Sequence, residues 1–323
     1  MLSRIAESLY WMSRYLERVD STARLVEINL LHLLEAESAI AEPDEWRPLL
    51  AICVAEGQYA KAFGSDQITG ARVTRFLLEE RANPGSVRTS LRLARENARV
   101  VRDRISKEMW ECVNDLWLRT VERQKRPMVP ERAADHCRTL RSEVARFHGL
   151  TVSTMMRGEA FGFYLLGFFL ERADMTARIM DVKYHLLLPD SSLVGSPLDY
   201  YQWAALLKSM SGFEAFRRRY HSLRPLDVAE FVVLDPDFPR SLRFAVDRME
   251  QALASIGSAR ADSPSARAIG ELSDLLAKAS AESLFEQGLH QFLGRFLEGV
   301  SALHAAVRYE YFEAYLGDAA CAT

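Results

Sequence analysis

Tyr15-Leu16-Glu17-Arg18-Val19-Asp20-Ser21-Thr22-Ala23-Arg24 returns, little altered, as Phe169-Leu170-Glu171-Arg172-Ala173-Asp174-Met175-Thr176-Ala177-Arg178. The shift is 154 positions, 169 against 15. Further matches follow in the same order. Trp46 with Leu49-Leu50 returns as Trp203 with Leu206-Leu207, a shift of 157. Pro84-Gly85-Ser86-Val87-Arg88 returns as Pro239-Arg240-Ser241-Leu242-Arg243, a shift of 155. His136 and Arg141 find His290 and Arg295, again at 154. A near-constant shift kept through ordered matches marks a tandem duplication, and a repeat dictates architecture. The halves, 1–156 and 157–323, are expected to superpose with Leu16 on Leu170 and Pro84 on Pro239.

Working outward from the first copy of that stretch, the surrounding residues read as a helix. Leu2, Ile5, Leu9, Met12, Leu16, Val19, Ala23, Val26, Leu30 and Leu33 alternate steps of three and four. That spacing predicts one apolar stripe on a long helix. Glu42-Pro43-Asp44 breaks it, and helices follow over about 46–63 and 69–81. Asn83-Pro84-Gly85-Ser86 is a turn that caps a predicted helix running to about Lys125. Another covers about 131–154. The second half repeats the pattern with helices near 157–188, 200–210, 226–234, 240–256, 266–280 and 283–316. Only Phe231-Val232-Val233-Leu234 is ambiguous between helix and strand. The expectation is an all-α helical bundle of two diverged copies about a pseudo-two-fold axis, forming one compact domain.

Composition agrees with this reading. Of 323 residues only 11 are Pro and 16 Gly, while helix-forming Ala, Leu, Glu and Arg dominate. The net charge of -3 argues against a simple electrostatic nucleic-acid surface. Cys53, Cys112, Cys137 and Cys321 form no CxxC pair and read as reduced thiols rather than a zinc site or disulfide framework. Charges interrupt the first residues, so no signal peptide is expected. The longest apolar run, Ala160–Leu170, is too short for a bilayer. A cytoplasmic protein without membrane association is expected.

Glu17, Asp20 and Arg24 share a flank beside the apolar stripe; Glu171, Asp174 and Arg178 do the same, and Arg18 and Arg172 point to the other side. Charges in such places must pair. Glu17, Arg18, Glu171 and Arg172 are therefore expected to be mostly buried and paired, some across the repeat boundary. Two readings stand: an ion-pair network that holds the halves in register, or a polar cleft whose guanidinium forks grip carboxylate or phosphate. A metal site built from the four carboxylates is disfavoured by the interleaved Arg and by the absence of Glu-x-x-His. No cofactor is expected.

A second charged set, Arg95, Glu96, Asn97, Arg99, Arg102 and Asp103, with Trp110, Glu111 and Asn114 beyond, lies on the predicted long helix. It reads either as a solvated ion-pair ladder or as an interface. The seven histidines form no HExxH and no nucleophile pattern, and Walker, GxGxxG and GxSxG loops are lacking.

The Leu-Glu-Arg-x-Asp-x-Thr-Ala-Arg stretches, with Ala94-Arg95-Glu96-Asn97-Ala98-Arg99-x-x-Arg102-Asp103, Trp110-Glu111-x-x-Asn114 and Phe147-His148-Gly149-Leu150-Thr151, resemble the Alpha-E domain family along essentially the whole chain. The resemblance implies a bacterial helical protein encoded beside, or fused to, a circularly permuted ATP-grasp protein. Transglutaminase-like peptidases are frequent neighbours in that family. It further implies an accessory role in ATP-dependent peptide or amide ligation. The alternatives are an enzyme acting on the product of that partner, or a structural assembly module. No catalytic residue transfers with the resemblance.

Overall fold

Six of the described helix starts are written as a hydroxyl followed three residues later by a backbone N–H that needs a partner. Ser86, Ser106, Ser241, Ser263 and Ser280 each accept that hydrogen bond, and Thr69 does the same. The computed structural model describes residues 1–35, 42–65, 67–124, 128–187, 197–257 and 262–313. All regular structure among them is helical. They fall into two compact units, one of residues 15–155 and one of residues 1–14 with 156–323. The helix α1 (Ser3–Glu35) contributes to both.

In the unit of residues 15–155, α1 is followed by α2 (Glu42–Ile52), α3 (Glu56–Phe63), α4 (Gly70–Leu78), α5 (Val87–Val100), α6 (Lys107–Arg123) and α7 (Pro130–Thr154). Two helices expected from the sequence are each divided. The helix over 46–63 breaks at Cys53–Ala55, where Val54 takes φ +52°. There Ala55 N–H donates to Leu50 O at 2.8 Å and Val54 N–H to Ala51 O at 3.0 Å. This left-handed closure satisfies the last carbonyls of α2. The helix expected to reach Lys125 ends at Val100, and Ser106 caps a new one. Asp103, expected on the same long helix as Glu96 and Arg99, lies in the intervening turn and pairs with Arg104 at 3.1 Å. A capping serine competes with helix continuation, and here the cap wins.

In the other unit, residues 1–14 of α1 join α8 (Glu159–Leu187), α9 (Pro197–Ser209), α10 (Phe213–Arg219), α11 (Pro225–Val233), α12 (Leu242–Ile256), α13 (Pro264–Ala277), α14 (Ala281–Glu286) and α15 (Leu289–Val307). The ambiguous 231–234 stretch lies in and at the end of α11. The last expected helix is split by Gly288, which sits at φ +87°. A π-helical turn, Arg308–Glu313, follows α15. It carries Glu310 to the start of α13, where the carboxylate accepts from Ser265 N–H at 3.1 Å and Ser265 Oγ at 2.6 Å. An anion suits a helix N-terminus. The short helix α10, not expected from the sequence, follows a second left-handed closure at Ser211, φ +51°. Gly212 N–H donates to Leu207 O and Ser211 N–H to Lys208 O, at 2.8 and 2.9 Å.

Core placement follows the apolar pattern. Leu9, Met12, Leu16, Val19, Ala23, Val26 and Leu30 are buried on α1, whereas Leu2 is exposed ahead of the helix. Leu33 and Cys321 lie outside the side chains described. On α8, Phe163, Tyr164, Leu166, Phe168, Phe169 and Leu170 are all buried, so the helix is surrounded as its composition implied. It packs on α12 and α15. Gly167 of α8 lies where a Cβ would collide with the Tyr10 carbonyl oxygen and Ser13 Oγ of α1. Only glycine permits that approach.

Val54 and Ser211 both hold a left-handed conformation that L side chains resist, while glycine adopts it freely. Val54→Gly and Ser211→Gly are each expected to stabilise the protein by about 1 kcal/mol. Denaturant midpoints of the two variants measure this, and a fall at either site would refute it.

Candidate functional site

The charged side of α1 starts earlier than the repeated stretch. Tyr10, Ser13, Arg14, Glu17, Asp20, Ser21, Arg24 and Glu27 recur at steps of three and four or their neighbours, and all are buried. This is a second, polar stripe running beside the apolar one. The sequence reading found its middle, Glu17 to Arg24, and missed Tyr10 and Arg14 at its start.

Arg14 is the partner that Glu171 requires. Its Nε donates to Glu171 Oε2 at 2.8 Å, with both residues within the unit formed by 1–14 and 156–323. The pair joins residues 157 positions apart in the chain. One Arg14 amino group, NH1, donates to the Tyr10 hydroxyl at 3.3 Å and meets His304 Nδ1 at 3.2 Å. Tyr10 Oη lies 2.7 Å from the same nitrogen. A guanidinium can only donate, so Nδ1 accepts and the neutral ring carries its proton on Nε2. The Trp11 ring stands 4.8 Å from the Arg14 Cζ and edge-on to His304.

Burial sets the charge states. Burial pushes the Tyr10 hydroxyl up to about 12, against the opposing pull of Arg14. Burial alone would loosen the Arg14 proton, but Glu171 and Tyr10 outweigh it and the value rises. His304 is held down at about 4 by burial, then by Arg14 and Arg308. Near neutral pH the cluster is one ion pair with a neutral phenol and a neutral imidazole. An imidazole this acidic is a hydrogen-bond relay rather than a general base at that pH.

The remaining members of the repeated stretch pair along their own helices. Arg24 donates through one amino group to Asp20 Oδ1 and Oδ2, at 2.9 and 2.6 Å. Arg178 grips Asp174 with Nε at 2.8 Å and NH2 at 3.0 Å. Glu17 and Glu171 are buried at 1% and 2% exposure. Arg18 and Arg172 are only half-buried and lie against aromatic faces. Arg172 Cζ sits 4.1 Å over the Phe168 ring and the guanidinium donates to Pro239 O at 3.3 Å, whereas Arg18 stands 5.7 Å from Tyr15. Guanidiniums stack on rings where carboxylates do not, so the two members of each Glu-Arg pair part company.

On α5, α6 and the turn between them, Arg95, Glu96, Arg99, Arg102, Trp110 and Asn114 converge. Arg95 Nε donates to Asn114 Oδ1 at 2.9 Å, and Glu96 accepts from Arg95 and Arg99 at 2.9 and 2.8 Å. Arg95 and Arg102 flank Trp110 with Cζ at 5.7 and 5.2 Å from its ring. Asn97 turns away, donating to Leu93 O at 2.8 Å. The residues share a surface even though the long helix expected to carry them is two.

Burial raises the Cys112 and Cys137 thiols to about 11 and about 12, so both stay protonated. Among the described residues no group of three or more His, Cys, Asp or Glu is placed to hold a metal ion. None of the described helices is long and apolar enough to cross a membrane.

An all-helical chain with Glu-Arg pairs on two of its longest helices is the class of protein that fold and site define. Residues 1–312 match the family model Alpha-E, described as a predicted alpha-helical domain with a conserved ER motif. The chain belongs to the Alpha-E family. Similar curated proteins include an uncharacterized protein of Mycobacterium bovis and two of Mycobacterium tuberculosis, each 23% identical over 327 aligned residues. The match covers 94% of this chain but 36% of each relative, so the chain spans about a third of their length. No solved structure matches.

Proposed function

We propose that this protein is an accessory partner in an ATP-grasp-dependent peptide or amide ligation system. The observation that carries the reading is membership of the Alpha-E family over residues 1–312. The resemblance implies encoding beside, or fusion to, a circularly permuted ATP-grasp protein. The mycobacterial relatives continue far beyond the matched region, as a fused arrangement would. A transglutaminase-like peptidase is a further candidate partner.

The fold of this accessory protein is read as a tandem duplication of one helical unit. Two closures support it: Val54 and Ser211 are separated by the same 157 positions as Trp46 and Trp203, and both hold left-handed backbone. Ser86 and Ser241, at a shift of 155, cap equivalent helices. Ser13 and Gly167, at a shift of 154, meet where α1 and α8 cross.

Within that role, recognition is assigned to the Arg95, Arg102, Trp110 and Asn114 surface. Arg178 closes its fork on Asp174 and Arg24 gives one amino group to Asp20, in each case an aspartate four residues earlier, which favours a scaffold role for the repeated stretch. An anion gripped by those forks would have to displace Asp20 or Asp174. Arg95→Met with Arg102→Met is expected to leave the fold intact and abolish the contribution to ligation. The same double change at Arg24 and Arg178 should alter stability, with activity following the amount of folded protein. Co-purification with the ATP-grasp protein, then ADP release and product formation with each variant, tests this. No association with that partner, or ligation unaffected by Arg95→Met with Arg102→Met, would sink the respective part.

A further inference from the structure

The facing stripes of α6 and α7 line an open cavity of about 360 Å³. Leu116, Arg119, Thr120 and Arg123 line one side; Arg132, Asp135, His136 and Thr139 line the other. Each set follows the spacing i, i+3, i+4, i+7, so two whole helix faces look into the space. Its size lies at the lower end of small-molecule sites. Arg119 pairs with Glu143 at 3.1 Å and Arg123 with Glu79 at 3.5 Å, so Arg132 is the lining guanidinium left without a carboxylate partner among the described residues. Asp135 is itself turned outward, 74% exposed and bonded to Arg138 at 2.8 Å.

His136 is the residue that a packing role does not explain. It is 9% exposed, and its ring has no hydrogen-bond partner among the described residues. Buried polar groups are almost always satisfied, so a lone one facing a cavity implies a missing partner. Burial, then Arg123, holds its value down at about 3, so near neutral pH it is an uncharged imidazole with one N–H to give. The matching histidine at a shift of 154, His290, is instead half-exposed and meets Asp181 at 2.6 Å. The Arg132 guanidinium has no partner among the described residues either. Arg123 donates to Arg132 O at 2.8 Å and lies 3.5 Å from Glu79, which anchors its guanidinium at the cavity wall.

We propose that the α6–α7 cavity binds a small molecule through an oxyanion, either a phosphate monoester or a dicarboxylate, held by Arg132 and His136, with the paired guanidiniums of Arg119 and Arg123 forming the wall beside it. Guanidinium forks match both chemistries, and a neutral imidazole adds a directed donor without repelling a cation-rich wall. The inference is independent of the ATP-grasp reading, since it rests on this unit alone.

Isothermal titration of the full chain with inorganic phosphate, and separately with malonate, tests it. Arg104, 52% exposed and outside the cavity, supplies the control variant Arg104→Met. Wild type and Arg104→Met should bind one of the two anions saturably. Arg132→Met should bind it about tenfold more weakly, the loss expected for a charge-assisted contact. His136→Leu should also bind more weakly while being at least as stable as wild type, because it removes a buried polar group that has no partner. Binding of phosphate alone assigns a phosphate ester, and binding of malonate alone a dicarboxylate. Absence of saturable binding for both anions, or equal weakening by Arg104→Met and Arg132→Met, would overturn the proposal.

Discussion

Replacing Glu171 by Ala is expected to destabilise the protein by about 3–5 kcal/mol, because Arg14 would be left buried and charged. Arg14 is 8% exposed, and its remaining contacts would be Tyr10, Trp11 and His304, neutral near neutral pH, with Asp174 acting on it as a lesser anion than Glu171. The guanidinium cannot escape by losing its proton, since its value is raised from an already high starting point. For the unit concerned the loss corresponds to a fall in Tm on the order of 10 °C. A second variant separates the ion pair from the space it fills. Arg14→Met combined with Glu171→Leu removes both charges and keeps most of the volume, so its stability should return close to that of wild type. Thermal melts of the three proteins read the result. A Glu171→Ala variant that melts with wild type would show that Arg14 reaches water. A double variant no better than the single one would place the cost in packing rather than charge.

The pair was half legible in the sequence, and the reason is instructive. Apolar periodicity located α1 and α8 almost to the residue, because a stripe at steps of three and four has one physical meaning on a helix. A polar stripe has two: water or a buried network. Tyr10, Arg14 and Glu27 flank the repeated stretch at helical spacing and are buried with it, yet a side-by-side reading assigns such residues to solvent. The clue was available in Tyr10 and Ser13, poor choices for a fully solvated helix face but good ones for a network. His304, which completes the cluster, lies 290 positions from Arg14 and carries no local mark.

The interruptions were less legible than the helices. Ser106-Lys107-Glu108 reads equally well as helix interior or helix start, and only the cap bond from Met109 N–H to Ser106 Oγ decides it. At Cys53–Ala55 neither Gly nor Asn announces a left-handed residue, so Val54 hides the break. Its counterpart Ser211 precedes a glycine, a stronger sign that was still missed, and α10 with it. Such positions are held by tertiary packing against local preference, which single-residue propensities do not record. The charged cluster of α5 and α6 survives the mistake because Arg95, Arg102 and Trp110 meet across the break rather than along one helix.

Acid should weaken this protein earlier than its carboxylates alone would dictate, and His136 is the cause. Its value falls from 6.5 to about 3 on folding, chiefly through burial and secondarily through Arg123. The groups around it are Arg119 (paired with Glu143), Arg123, Arg132 and Asp135, and protonation would set a second cation against Arg123 in a buried place. Between those two values the unfolded chain binds a proton that the folded chain refuses. Stability is therefore full above pH 6.5 and declines as pH falls toward about 3, where the folded form protonates as well. The accumulated loss from this residue is on the order of 4 kcal/mol. His304 acts in the same direction over a narrower window, from 6.5 to about 4, and contributes less because it is partly solvated. Urea midpoints measured across this range, for wild type and His136→Leu, isolate the effect. Carboxylate titration is common to both proteins and cancels in the difference. The variant should match or exceed wild type near neutral pH and gain progressively over it as the solution is acidified. Parallel pH profiles for the two proteins would mean that His136 takes up its proton in the folded state at an ordinary pH, and that the cavity is wetter than its geometry implies.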